Sequence, residues 1–356
     1  MRKRVAIIAG GQSPEHEISL LSAKSILSAI DQQNYEVIRV GIDKNGRWWR
    51  FDRDDWVSNT DDPRAITLNV DGGKELFIGA TPGAFLKLGI DVAFPVIHGS
   101  TGEDGMLQGL FELTQTPYVG CDVVASGISI DKDITKRLVQ QSGIAVAPWE
   151  LILAPYWQSG EANRLLKQFG GDCFVKPARL GSSIGVSRAT DLRSLLSAIE
   201  TAFQYDRRVI IEQTIRGREL EVAVLGETPR IASVTGEIVT PSGFYSYDAK
   251  YLDSEKTQLL APAKILSNVE LRLQKTAITI FDTLGLSGLS RVDFFYSEST
   301  DTIFLNEVNT MPGFTAISMY PKLLELSGIP YTELITRLLQ LAIQRQLELK
   351  RLKRLR

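Results

Sequence analysis

Four residues able to do chemistry stand at matched spacing in Arg291 to Gly313, RVDFFYSESTDTIFLNEVNTMPG. Two runs rich in β-formers flank the polar cluster Ser297 to Thr302, which signals a turn. A reversal near Ser299 and Thr300 sets Asp293 opposite Glu307 and Arg291 opposite Asn309. Side chains alternate along a strand, so these four are expected on one face. Val292, Phe294, Tyr296, Phe304 and Val308 are expected on the other face, as core. Charge buried at mid-strand is costly unless it is paired or holds a metal. The candidate ligands Asp293, Glu307 and Asn309 offer only oxygens, with no Cys or His. That suits a hard cation, Mg²⁺ or Mn²⁺, rather than zinc. A cross-strand ion pair of Arg291 with Asp293 and Glu307, on an exposed sheet face, accounts for the same residues without a metal.

A second candidate is Phe174 to Arg188, FVKPARLGSSIGVSR. A strand delivers Lys176, Pro177 ends it, and a Gly-Ser-Ser-x-Gly loop follows. Small residues let backbone N–H groups approach a phosphate, and the hydroxyls, Ser183 among them, add donors. No G-x4-G-K-[ST] loop exists in the chain. Gly181-x-Ser183-x-Gly185 fits a nucleophile elbow, but that needs a later histidine. The only histidines, His16 and His98, both come earlier, so a serine hydrolase is discounted. Lys132 opens a predicted helix, where a cation is not locally favoured, and this hints at an anion in front of it. Glu212 and Gln213 end a strand at a junction of units, a common place for a base or ribose. Glu219 and Glu221 share a strand face, facing a ribose or solvent.

Positioning these groups takes more than one unit, since 356 residues exceed one ordinary core. The formal net charge of −2 gives no field that would recruit nucleic acid. Cys121 and Cys173 form no C-x-x-C pattern, which fits reduced thiols in the cytoplasm. The apolar run Val5 to Ala9 is too short for a signal core, and no run approaches membrane-spanning length.

Val5 to Ala9 reads as a buried parallel strand. Gly10 and Gly11 break it, Ser13 and Pro14 are expected as N-cap and first helical residue, and Glu15 falls in the first turn. This opens a doubly wound α/β unit, residues 1–121, with a second strand at Tyr35 to Ile42. Residues 43–80 read as a hairpin plus an irregular insertion. Asp91 to Ile97 is strand-like and leads into a glycine-rich turn, His98 to Gly105, and a helix through Leu113. A second unit, 122–215, holds a helix at Asp131 to Gln141, strands at Val146 to Leu153, Cys173 to Pro177 and Val209 to Glu212, and the phosphate loop. A third, 216–356, holds the opening hairpin and helices at Asn268 to Leu284 and from Tyr331. Between them, 240–262 shows neither period and carries three tyrosines and two lysines, which suits a functional lid. The basic end KRLKRLR reads as a solvated helix terminus.

Taken in order, GGQSPEHEISL at 10–20, HGSTGEDG at 98–105, DKDITKRL at 131–138, KPARLGSSIGVS at 176–187, GRELEVAVLG at 217–226, YDAKYL at 247–252, RVDFF at 291–295 and NEVNTMPGFTAISMYP at 306–321 resemble the D-alanine–D-alanine ligases of the ATP-grasp superfamily. The resemblance runs from about Val5 into the final helix and covers 43–80 poorly. It implies an α/β and α+β architecture, an ATP-grasp fold behind an N-terminal doubly wound α/β domain.

The activity it implies is ATP-dependent joining of two D-alanines, through an acyl phosphate, for peptidoglycan. It also implies two Mg²⁺ or Mn²⁺ ions on Asp293, Glu307 and Asn309, and Lys132 and Lys176 at phosphates. Glu212 and Glu219 would meet adenine and ribose, and Arg291 with the Gly313 N–H would form an oxyanion site. Glu15 would take the first ammonium, with His98 near that carboxylate and Ser182 and Tyr251 linked to Glu15. Ser318 would take the second carboxylate, with Lys250 beside the acyl phosphate. Tyr251 favours an amine as second nucleophile, and Met319 suits a methyl side chain. A homodimer is the family's usual assembly. Another ATP-grasp carboxylate–amine ligase and a non-catalytic ATP-binding protein are the rival readings.

Overall fold

The computed structural model describes residues 2–60, 62, 64–240, 258–315 and 317–352. Lys250, Tyr251 and the YDAKYL motif therefore lie outside the described residues. Among the described residues no helix is long and apolar enough to cross a membrane.

The first unit is a five-stranded sheet, ordered Lys74–Leu76, Trp48–Phe51, Tyr35–Ile42, Lys3–Gly10, Val92–Pro95. Tyr35–Ile42, Lys3–Gly10 and Val92–Pro95 run parallel, and Val5 to Ala9 are fully buried, as a doubly wound strand requires. The hairpin expected after residue 43 extends this sheet through Trp48–Phe51. Gly10 ends the first strand at φ +94, where a side chain would meet the Ile42 carbonyl at 2.2 Å, so only glycine fits. The helix that follows, His16–Ala29, starts later than expected. Glu15, not Ser13, is its N-cap. The Ser13 hydroxyl instead accepts the Glu15 N–H at 3.1 Å and donates to the His98 carbonyl at 2.7 Å, tying two turns together.

Two further sheets follow. The four-stranded one is ordered Ser187–Ala189, Cys173–Pro177, Arg208–Gln213, Trp149–Leu153. The six-stranded one is ordered Gln258–Leu260, Ile231–Val239, Arg218–Leu225, Leu289–Ser297, Thr302–Asn309, Ala145–Val146. The expected single strand from Val146 to Leu153 is thus two. Ala145–Val146 pairs with the six-stranded sheet and Trp149–Leu153 with the four-stranded one. Pro148, with no N–H to give a ladder, sits where the chain changes sheets. The last helix, Tyr331–Arg351, buries Leu334, Leu338 and Leu339 in one core with Val92 and Phe94 of the first sheet. The final segment thus clamps the first unit to the third.

The hairpin has the register read from its sequence: Arg291 opposite Asn309, Asp293 opposite Glu307. Beyond that the register shifts, and Phe294 pairs with Leu305. The extra residue, Asn306, makes a bulge that moves one strand's side chains by one place. Phe304 is consequently only half-buried, and Ile303 and Leu305 take the core positions with Val308.

Candidate active site

A cavity of about 570 Å³ lies where the three units meet. Glu15, His98, Ser182, Arg291, Asn309, Gly313, Ser318 and Met319 all border it. Each arrives on a different piece of chain: Glu15 at a helix start, His98 on the glycine-rich turn, Ser182 on the phosphate loop, the rest from the hairpin and the turn beyond. A small adjoining cavity of about 20 Å³ is bordered by Lys132, Glu307 and Asn309.

The Glu15 carboxylate stands between two glycines. A side chain at Gly99 would meet it at 2.8 Å and one at Gly181 at 3.9 Å. His98 is buried and both ring nitrogens are engaged. Nδ1 faces the Met311 carbonyl at 2.9 Å, which can only accept, so Nδ1 carries the proton. Nε2 then accepts from the Ser22 hydroxyl at 3.0 Å, and that oxygen accepts the Phe314 N–H at 3.3 Å. Burial lowers the His98 pKa, and the Arg291 charge adds to this against the pull of Glu15. A neutral imidazole thereby fastens the first unit to the turn after the hairpin.

Glu103, which the sequence did not single out, reinforces that joint. Its carboxylate accepts the Gly99 N–H and the Met311 N–H, each at 2.9 Å. Burial pushes its pKa up to about 7, outweighing those two donors. The only clue in the sequence is a charged residue inside a glycine-rich turn. Ser318 accepts the Thr315 N–H at 3.0 Å, and its hydroxyl closes over Gly313, where a side chain would meet it at 2.7 Å.

On the hairpin face, Arg291 donates Nε and Nη2 to the two oxygens of Asp293, both at 2.7 Å, and stands 3.2 Å from Glu221. Asn309 donates to Asp293 at 2.9 Å. The guanidinium borders the cavity and holds the counter-ion position at once. The Lys132 ammonium bonds the Leu180 carbonyl at 2.5 Å and stands 3.8 Å from Glu307. Asp131 caps that helix through the Asp133 and Ile134 N–H groups, which fixes Lys132 at its first position.

Among the described residues no group of three His, Cys, Asp or Glu gathers as a metal cage. The facing pair Asp293 and Glu307, with the Asn309 amide, is instead a half-site of oxygens. That donor set fits Mg²⁺ or Mn²⁺, which bind one or two carboxylates and fill their shells with water and substrate phosphates. The Arg291 and Lys132 cations now beside those carboxylates mark a place where positive charge is needed.

The phosphate loop leaves its strand at Lys176. Arg179 anchors it with a two-point pair to the buried Asp206, at 3.0 and 2.6 Å. Ser182 and Ser183 both adopt left-handed backbone, φ 53 and 57, a conformation serine rarely takes. Lys176 and Lys136 both bind Glu212, the latter at 3.0 Å. Burial alone would raise the Glu212 pKa, but these two cations hold it at about 2. Lys136 was missed in the sequence; its one signal is that it falls four residues after Lys132. Gln213 ends its strand exposed, and Glu219 is half-buried opposite Phe295. Lys176, Ser183, Glu212, Gln213 and Glu219 do not border the large cavity; Ser183 is on the loop, and the other four are on strands of the other two sheets.

A lysine-bearing phosphate loop and an oxygen half-site, on two sheets behind an α/β unit, define an ATP-grasp ligase. The D-ala D-ala ligase N-terminus family matches residues 4–121 and the D-ala D-ala ligase C-terminus family residues 138–340. The D-alanine–D-alanine ligase of Shouchella clausii is 45% identical over 99% of this chain and 98% of its own. Among solved structures, that of the D-alanine–D-alanine ligase from Coxiella burnetii superposes with a TM-score of 0.82, 34% identity, and 98% and 97% coverage. A D-Ala:D-Ser ligase from Enterococcus faecalis superposes at 0.81 with 35% identity, and 96% and 100% coverage. The chain belongs to the D-alanine–D-alanine ligase family.

Proposed function

We propose that this chain joins two D-alanines to D-alanyl-D-alanine at the cost of one ATP, supplying a peptidoglycan precursor. The observation that carries it is the single cavity bordered by Glu15, Ser182, Arg291, Gly313 and Ser318. A carboxylate oxygen of the first D-alanine attacks the γ-phosphorus and ADP leaves. The amine of the second attacks the resulting acyl carbon. Phosphate then departs with the former carboxylate oxygen, and the amine gives up a proton.

Glu15 holds the first ammonium, and the neutral His98 sets the turn beside that carboxylate. Arg291 and the Gly313 N–H face the oxyanion that develops on the acyl carbon, where preorganised donors are worth most. Ser318 receives the second carboxylate. Lys132 and Lys176 bind phosphates, Ser183 adds a donor, and Glu212, Gln213 and Glu219 line the adenosine end. Two Mg²⁺ or Mn²⁺ ions on Asp293, Glu307 and Asn309 would neutralise and align the phosphates. Lys250 and Tyr251 are assigned, by family resemblance, to the acyl phosphate and to Glu15. The protein works as a cytoplasmic homodimer.

The second amino acid is the point of choice, since one relative is a D-Ala:D-Ser ligase. Met319, buried at the cavity wall, offers a serine hydroxyl no partner, and this favours D-alanine. Phosphate release with ATP and Mg²⁺ tests the reading, comparing D-alanine alone with L-alanine, and D-alanine paired with D-serine or D-lactate. D-alanine alone should support release and L-alanine should not; silence with D-alanine would reject the reading.

A further inference from the structure

Lys136 is a lysine with no assigned task, and it is almost wholly buried. Its side chain is 3% exposed, against 12% for Lys176 and 5% for the Glu212 they share. The strands make the arrangement rigid. Glu212 lies directly between Phe174 and Trp149 on its two neighbours. Lys176, two residues beyond Phe174, reaches Glu212 from the same sheet, with the Phe174 ring 5.8 Å below its ammonium. Lys136 comes from another element, the helix Lys132–Gln141, and stands 5.7 Å over the Trp149 ring.

Among the described residues, nearby acids do not neutralise it. Asp133, one turn away, is taken by Arg137, Arg208 and the Trp149 indole N–H. Asp131 faces Arg208 and the helix N–H groups. Among the described residues two ammonium groups therefore meet one carboxylate, and the cluster keeps a positive charge in excess, with burial lowering the Lys136 pKa against the pull of Glu212. Burial of such an excess is costly, and only an anion brought to the more exposed member, Lys176, repays it. The same helix face carries Lys132 to the phosphate loop and to Glu307 one turn earlier.

We propose that Lys136 is a positioning residue for the nucleotide: by occupying one oxygen of Glu212 it keeps that carboxylate from cancelling Lys176, whose charge then serves the polyphosphate. This rests on the ATP-dependent reading above. Lys136 touches no substrate in this account and acts only through Glu212. Without it Glu212 and Lys176 form a closed, neutral pair. The proposal predicts an effect confined to ATP and dependent on Glu212.

The test is a double-mutant cycle read in steady-state kinetics, after the unaltered enzyme has been shown to release phosphate with D-alanine. Absence of that first activity would strike the functional reading and not this one. Lys136→Met should raise the KM for ATP about tenfold or more, while the KM for D-alanine moves less than about twofold. In a Glu212→Gln background the same Lys136→Met change should shift the KM for ATP by less than about twofold, because there is no carboxylate left to neutralise. Lys136→Arg, which keeps the charge, should stay within about threefold of the unaltered enzyme. If Lys136→Met lowers the folded fraction in thermal melts, Lys136→Gln replaces it in the cycle. The proposal is overturned by an equal loss in both backgrounds, by equal changes in both KM values, or by no change for ATP at all.

Discussion

Arg291 grips both oxygens of Asp293 at 2.7 Å, two residues away on the same strand. A cation held by Asp293 would compete with that guanidinium for the same lone pairs and would leave Arg291 free to face the cavity. Asp293→Asn keeps the shape and removes the charge. It should cut kcat about a hundredfold or more and raise the Mg²⁺ concentration needed for half-activity. The protein should still fold, because Arg291 retains Glu221 at 3.2 Å. Kinetics at varied Mg²⁺, with circular dichroism for the fold, check this; retained activity would remove Asp293 from the metal site.

Glu103 makes stability depend on pH. Its carboxyl, ordinarily near 4.5, is raised to about 7 by burial. Below the lower value both folded and unfolded chains hold the proton, and the group is neutral to stability. Between the two values only the folded chain holds it, so stability falls as pH rises; above about 7 the loss is constant. The full effect is at most about 3 kcal/mol. Glu103→Gln removes the titration. Urea melts should show the unfolding free energy of the unaltered protein falling relative to Glu103→Gln across this window. Parallel pH profiles would contradict it.

Gly236 sets where Met319 lies. A methyl group at Gly236 would stand 2.1 Å from the Met319 Cε, the flexible end of a side chain that borders the cavity. Gly236→Ala should push that tip aside at a modest stability cost of about 1–3 kcal/mol. The KM for D-alanine should rise several-fold while that for ATP stays put. An unchanged D-alanine KM would show that Met319 does not shape the second amino-acid site.

Arg179 holds the phosphate loop down. Its two-point pair with Asp206, together with a 3.1 Å bond from its own N–H, fixes the chain before the left-handed serines. Arg179→Ala leaves Asp206 short of partners, a cost of about 1–3 kcal/mol. ATP should bind several-fold more weakly, by calorimetry, with D-alanine affinity unaffected. Unchanged ATP binding would mean that the loop keeps its shape without this anchor.

Local spacing made part of this legible. The hairpin register followed from one polar turn and two β-rich runs, and Asp293 does face Glu307. Lys132 opens its helix because Asp131 is a strong cap. Readings failed where one residue changes phase. Asn306 is a bulge, so Phe304 lost its core position to Leu305; Pro148 splits one expected strand between two sheets. Glu103 and Lys136 stayed invisible for a different reason. Their surroundings come from partners far along the chain, Met311 and Glu212, which no local period reports. The first helix misled by two residues because the Ser13 hydroxyl, which has the chemistry of a cap, is spent on the His98 carbonyl.

The most direct test follows one oxygen atom. D-alanine labelled with ¹⁸O in its carboxylate is incubated with the enzyme, ATP and Mg²⁺, and both products are weighed by mass spectrometry. Attack on the γ-phosphorus followed by loss of phosphate from the acyl carbon predicts D-alanyl-D-alanine and one ¹⁸O in each phosphate released. Phosphate without label, or label transfer without dipeptide, would contradict the account.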